Sequence, residues 1–105
     1  MSPVVVAQLV FVRPLSRTMT ERFASPSTLR EFALETALQL RAAGRTEASE
    51  VMEAAATCVT SSGWEWLGGL GAAAASIRER FQVSGLVAAR LARIREAATS
   101  QQPYG

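Results

Sequence analysis

SSGWEWLGGLGAAAASIRERF, residues 61–81, decides what kind of fold this chain adopts. Gly69, Gly71 and Ala74 match the G-x-G-x-x-A spacing of a dinucleotide-binding turn, Trp64 to Ile77 is an apolar stretch fit for a membrane, and the same small residues suit a packed helix. The dinucleotide reading requires a strand before the glycines and a second strand that brings an acid to the ribose about 20 residues later. Here the preceding residues are helical in pattern, no βαβ unit can be drawn, and Glu96 falls inside another helical stretch. A membrane span requires about 20 apolar residues, whereas Glu65 stands near the start of this stretch and Arg78 closes it. What remains is a helix whose glycines and alanines let a neighbouring backbone approach, against the first or second helix or a second subunit, with tryptophans filling the space beside them.

Working outward, the flanking segments have the same helical character. Leu29, Phe32, Ala33, Ala37 and Leu40 recur at helical spacing. Ser25 before Pro26 suits an N-cap with proline in the first turn, Thr28 and Glu31 have capping-box spacing, and Gly44 suits a C-terminal cap. Only Arg45 separates that glycine from Thr46, the expected N-cap of a second helix. Its stripe is Ala48, Val51, Met52, Ala55 and Val59, with Glu47, Glu50 and Glu53 on the wet side. The third helix starts near Trp64 and runs to about Gln82, with Trp66, Leu70, Ala73, Ala74, Ile77 and Phe81 on one face. Ser84 is placed to cap a fourth, striped by Val87, Leu91, Ile94 and Ala98. The expected fold is therefore all-α, a small four-helix bundle of two antiparallel hairpins. Residues 27–99 form the bundle, residues 1–26 an apolar N-terminal arm and linker, and residues 100–105 a flexible tail.

The arm is VVVAQLVFV, Val4 to Val12, bounded by Pro3 and Pro14. It is too short to span a bilayer, it lacks the basic start and small-residue cleavage site of a secretory signal, and no second strand exists to pair with it. It is expected to pack on the helices or on a partner chain, or to be partly disordered.

Composition narrows the chemistry sharply. The 105 residues are 49% hydrophobic and 19% charged, and they include no Lys, His, Asp or Asn. Every cation is Arg and every anion is Glu. A phosphate-binding P-loop lacks its lysine, Ser-His-Asp and Cys-His nucleophile pairs lack their base, and a calcium loop lacks its Asp and Asn ligands. One cysteine, Cys58, cannot build a thiolate zinc site, and nothing points to a metal or cofactor. Cys58 is expected in the second helix as a small, near-core residue, and a lone thiol without a disulfide partner favours the cytoplasm.

Residues 77–95, Ile77 followed by RERFQVSGLVAARLARIR with its short turn at Val83 and Ser84, resemble the helix-turn-helix of bacterial DNA-binding regulators. Arg78 and Gln82 stand where that motif has a small residue and a glycine. The resemblance implies a recognition helix in which Arg90 and Arg93 contact phosphate or bases. Against it stand a net charge of only +2 and Glu96, placed to pair with Arg93 on a solvated face.

The leading expectation is a non-enzymatic helical protein-interaction module that self-associates, with DNA binding as the alternative. Four amphipathic helices already supply a core, yet Val5, Leu9 and Phe11 in the arm, with Trp64 and Trp66, still require cover, and uncovered apolar surface marks interfaces. Those five residues are the expected partner contacts.

Overall fold

The computed structural model describes residues 22–83, 85–100 and 102–104. They form four helices, α1 (Pro26–Ala42), α2 (Thr46–Ala56), α3 (Gly63–Arg80) and α4 (Gly85–Thr99). Helix α1 packs on α2 and α4, and α3 packs on α2 and α4. No described helix is long and apolar enough to cross a membrane.

The helix ends follow from local chemistry. Ser25 is in extended backbone (φ −162°, ψ 166°) with Pro26 behind it, and its hydroxyl accepts from the Thr28 amide at 3.2 Å. Thr28 answers with a hydroxyl contact to Ser25 at 3.0 Å, so the cap is closed by Ser25 and Thr28 rather than by Glu31. At the other end Gly44 takes φ 83°, which its missing Cβ permits. The Arg45 amide then reaches Leu40 O at 2.8 Å and the Gly44 amide reaches Arg41 O at 3.0 Å, a Schellman closure.

That closure explains why Thr46 does not cap α2. Arg45 ends the turn and occupies the N-cap position, without a capping side chain, and Thr46 becomes the first helical residue. The Arg45 guanidinium instead donates to Gln82 O at 2.9 Å, tying this turn to the one between α3 and α4.

Helix α2 stops at Ala56, short of Val59. Thr57 folds its hydroxyl back onto Glu53 O at 2.9 Å, and the Ala56 carbonyl that would continue the ladder is taken by Trp66 and Arg30 side chains. Val59 is therefore 95% exposed instead of completing the apolar stripe. Cys58 is likewise exposed in the connecting segment, not near the core.

Ser62 starts α3 by accepting from the Glu65 amide at 3.1 Å, while Glu65 Oε1 accepts from the Ser61 hydroxyl at 2.8 Å and the Ser61 amide at 3.1 Å. Those two bonds, the hydroxyl's first, hold the Glu65 carboxyl below its ordinary range. Ser62→Ala is expected to lower stability by about 1 kcal/mol. A fall in the urea midpoint at unchanged slope would report this, and an unchanged midpoint would remove the cap from the account. Phe81 leaves the helix in extended backbone, one residue before the expected end at Gln82. Helix α4 begins at Gly85 with φ 63°, and its expected cap, Ser84, lies outside the described residues.

Each helix contributes one face to the core. Leu29, Ala33, Ala37 and Leu40 come from α1, Ala48, Met52 and Ala56 from α2, Trp66, Leu67, Leu70, Ala74 and Ile77 from α3, and Leu91, Ile94 and Ala97 from α4. Full burial of each large aliphatic side chain here contributes about 1.5–3 kcal/mol relative to exposure.

The approach of α3 to α4 depends on one glycine. A Cβ built on Gly71 would run into the Cβ of Ala98, whereas Gly68 and Gly69 face open space. Gly71 thus works as the sequence suggested, but against α4 rather than α1 or α2.

The two ends of the described residues are better anchored than their composition implied. Phe23 is 4% exposed and belongs to the core, although it falls in the expected linker. Its amide donates to Pro103 O at 3.1 Å, and Phe23 and Tyr104 form an isolated parallel bridge. Pro103 is buried and Tyr104 half-buried, so residues expected to fray close the structure near the start of α1.

Candidate functional site

Trp64 and Trp66 are both close to the start of α3, but two residues on a helix lie about 200° apart, on opposite sides. The structure separates them accordingly. Trp66 turns inward, 6% exposed, and its indole N–H donates to Ala56 O at 3.0 Å. The same carbonyl accepts from Arg30 Nε at 3.2 Å, and the Arg30 guanidinium lies 5.2 Å from the Trp66 ring centroid. Three helices meet there, and a cation from α1 sits at the partly negative C-terminus of α2. Trp66 is thus a core residue and not the partner contact expected from sequence: its polar atom is already spent on the fold.

Trp64 remains 67% exposed. Beside it opens a cavity of about 630 Å³, bounded by Pro26, Gly63, Trp64, Trp66, Leu67, Gln102, Pro103 and Tyr104. The walls come from the start of α1, the start of α3 and the chain after α4. Their described side chains include one ionisable group, the Tyr104 phenol. Burial pushes its pKa up, against the opposing field of Arg30, so the phenol is a neutral hydrogen-bonding group at physiological pH. Apolar walls, an exposed indole and a few uncharged polar groups suit an apolar segment with a backbone to satisfy. Val59, exposed in the segment before α3, adds to the apolar surface at the α2–α3 connection.

Val5, Leu9 and Phe11, the expected contacts in the arm, lie outside the described residues. Arg90 and Arg93 are on α4 and turn toward α1. Arg90 has a side chain only 14% exposed, paired with Glu35 at 3.1 Å. Its Nε donates to Thr36 Oγ1 at 2.9 Å, one terminal nitrogen donates to Phe32 O at 3.0 Å, and the guanidinium lies 3.9 Å from the Phe32 ring centroid. Arg93 lies over Phe23 at 4.3 Å and Phe32 at 5.0 Å, and those two rings meet edge-on at 5.1 Å. A phosphate would have to draw both arginines out of these contacts. The sequence stripe left them on an outer face because periodicity ranks Arg as polar, and no pattern reveals that its guanidinium stacks on Phe32.

Among the described residues no cluster of three His, Cys, Asp or Glu side chains is arranged to hold a metal. Two other concavities among the described residues are smaller. One, lined by Ala75, Arg78, Glu79 and Arg95, carries charges of both signs, and the other flanks Phe23 and Arg93. No protein-family model, curated protein or solved structure matches the chain.

Proposed function

We propose that the four helices pair as two antiparallel hairpins and that the protein is a non-enzymatic interaction module, self-associating through the Trp64 end. The hairpin arrangement draws support from Gly71, midway along α3, meeting Ala98, in the last turn of α4, across the short connection between them, and from the three-residue connection between α1 and α2. The observation that carries the functional reading is Trp64, 67% exposed at the rim of an apolar cavity of about 630 Å³. Exposed tryptophans beside preformed apolar pockets are the usual anchors of protein interfaces. A non-enzymatic role accords with a sequence that has no His, Lys or Asp and with cavity walls whose one described titratable group is a phenol. A cytoplasmic setting accords with the single exposed thiol of Cys58.

Light scattering across a concentration series provides the test. The full chain is expected to move from monomer toward dimer, and Trp64→Glu to weaken the association by about a hundredfold, since a charge would have to be desolvated at the anchor. Equal association of the two proteins would remove Trp64 from the interface.

A further inference from the structure

We propose that the occupant of the Trp64 cavity is the apolar segment Val4–Val12 of a second copy of the chain, so that paired copies exchange arms. The inference rests on the self-association reading and names the segment that mediates it. Three observations lead to it.

The first is chemical fit. The cavity presents Trp64, Leu67, Pro103 and the neutral Tyr104 phenol, and VVVAQLVFV is an uncharged run, apolar but for Gln8, long enough to lay several side chains into such a space. The second is exposure. Trp64 is 67% exposed at the rim of the cavity, and self-association assigns its cover to a second copy. The third is placement. The N-terminal segment joins the described fold at Arg22 and Phe23, and Phe23 is bridged to Tyr104, a wall of the cavity. The arm's root and the cavity therefore share one end of the molecule. A two-fold axis at that end brings each root beside the partner's cavity, and the contact is reciprocal. Residues 13–22, between the run and Phe23, can span at most about 33–36 Å, ample for the crossing.

The experiment uses two full-length variants, Val5→Glu/Leu9→Glu/Phe11→Glu, with a charged arm, and Trp64→Glu, with a charged cavity rim. Their thermal transitions by circular dichroism confirm that each folds, and analytical ultracentrifugation follows them alone and mixed. Arm exchange predicts that each variant alone dimerises about a hundredfold more weakly than the parent, or worse, because both contacts are damaged. Mixed, they form a heterodimer through the one intact arm and one intact cavity, and its affinity exceeds that of either homodimer by about tenfold or more. If the charged-arm variant alone dimerises like the parent, the cavity ends pair directly and the arm is overturned as occupant while self-association stands. If Trp64→Glu alone dimerises like the parent, the arms pair with each other and the cavity assignment is overturned. If the parent dimerises but the mixture yields no heterodimer, exchange is overturned. A parent that is monomeric throughout sinks both the arm and the self-association on which it rests.

Discussion

Arg90→Ala is expected to destabilise the protein by about 2–3 kcal/mol, equivalent to a fall in melting temperature of roughly 10–20 °C for a domain this small. The size follows from how many partners the side chain serves at once. Its guanidinium bonds Thr36 Oγ1 and the Phe32 carbonyl, pairs with Glu35 and lies over the Phe32 ring. Thr36 is fully buried, so truncation deprives its hydroxyl of a charged donor and uncovers the ring in a single step. Exposed ion pairs contribute at most about 1 kcal/mol, and Glu35→Gln, which touches only the exposed partner, is expected to have an effect of that order. Arg90→Lys is expected to recover part of the loss, because an ammonium keeps the charge but lacks the planar fork that reaches both acceptors. Thermal melts of the three variants check this order, and a loss at Arg90→Ala no larger than that at Glu35→Gln would refute it.

Gly71→Ala is the second large effect, and its sign is informative. In an exposed helix interior the change from Gly to Ala stabilises by about 0.8–1.0 kcal/mol. At Gly68 and Gly69 nothing obstructs a new Cβ, so Gly68→Ala is expected to gain that amount. At Gly71 the new methyl meets Ala98 Cβ, the root of a short side chain that cannot swing aside. Helices α3 and α4 must then part, and overpacking of this kind costs about 1–3 kcal/mol. Denaturant titrations should shift in opposite directions for the two alanine variants. Equal stabilisation would mean that α3 and α4 do not meet at Gly71.

Much of the architecture was legible because apolar residues repeat with the helical period. Leu29, Ala33, Ala37 and Leu40 were assigned to the core on that basis and are buried, as are Leu70, Ala74 and Ile77. Serine, proline and glycine marked the ends of α1 for equally local reasons. Legibility failed where a terminus is decided by a distant partner. Helix α2 ends before Val59 in part because Trp66 and Arg30 claim the Ala56 carbonyl, a competition between helices that no window of sequence contains. Thr46 lost the N-cap because the Schellman closure had already consumed Arg45. Phe23 and Tyr104 lie at opposite ends of the described chain, so their pairing leaves no periodic trace.

The candidate site divides the same way. Sequence marked Trp64 and Trp66 as a pair, and the rotation of about 200° over two helical residues separates them into one exposed indole and one buried strut. A reading that placed each residue by its angle would have distinguished them, since Trp66 shares a face with Leu70 and Ala73 while Trp64 shares one with Gly68. The resemblance of residues 77–95 to a DNA-binding motif placed Arg90 and Arg93 on an outer surface. Their engagement with Phe32 and Phe23 depends on α1 lying alongside α4, a tertiary fact.

If association covers the Trp64 end of the molecule, its indole is shielded only in the dimer. Acrylamide quenching of the full chain, followed from dilute to concentrated solution alongside sedimentation equilibrium, tests it most directly. Trp66 is buried throughout, so the accessible signal belongs to Trp64. Trp64 is expected to be freely quenched in the dilute monomer and to become shielded in step with dimer formation. A strict monomer at every concentration, with Trp64 quenched equally throughout, would contradict it.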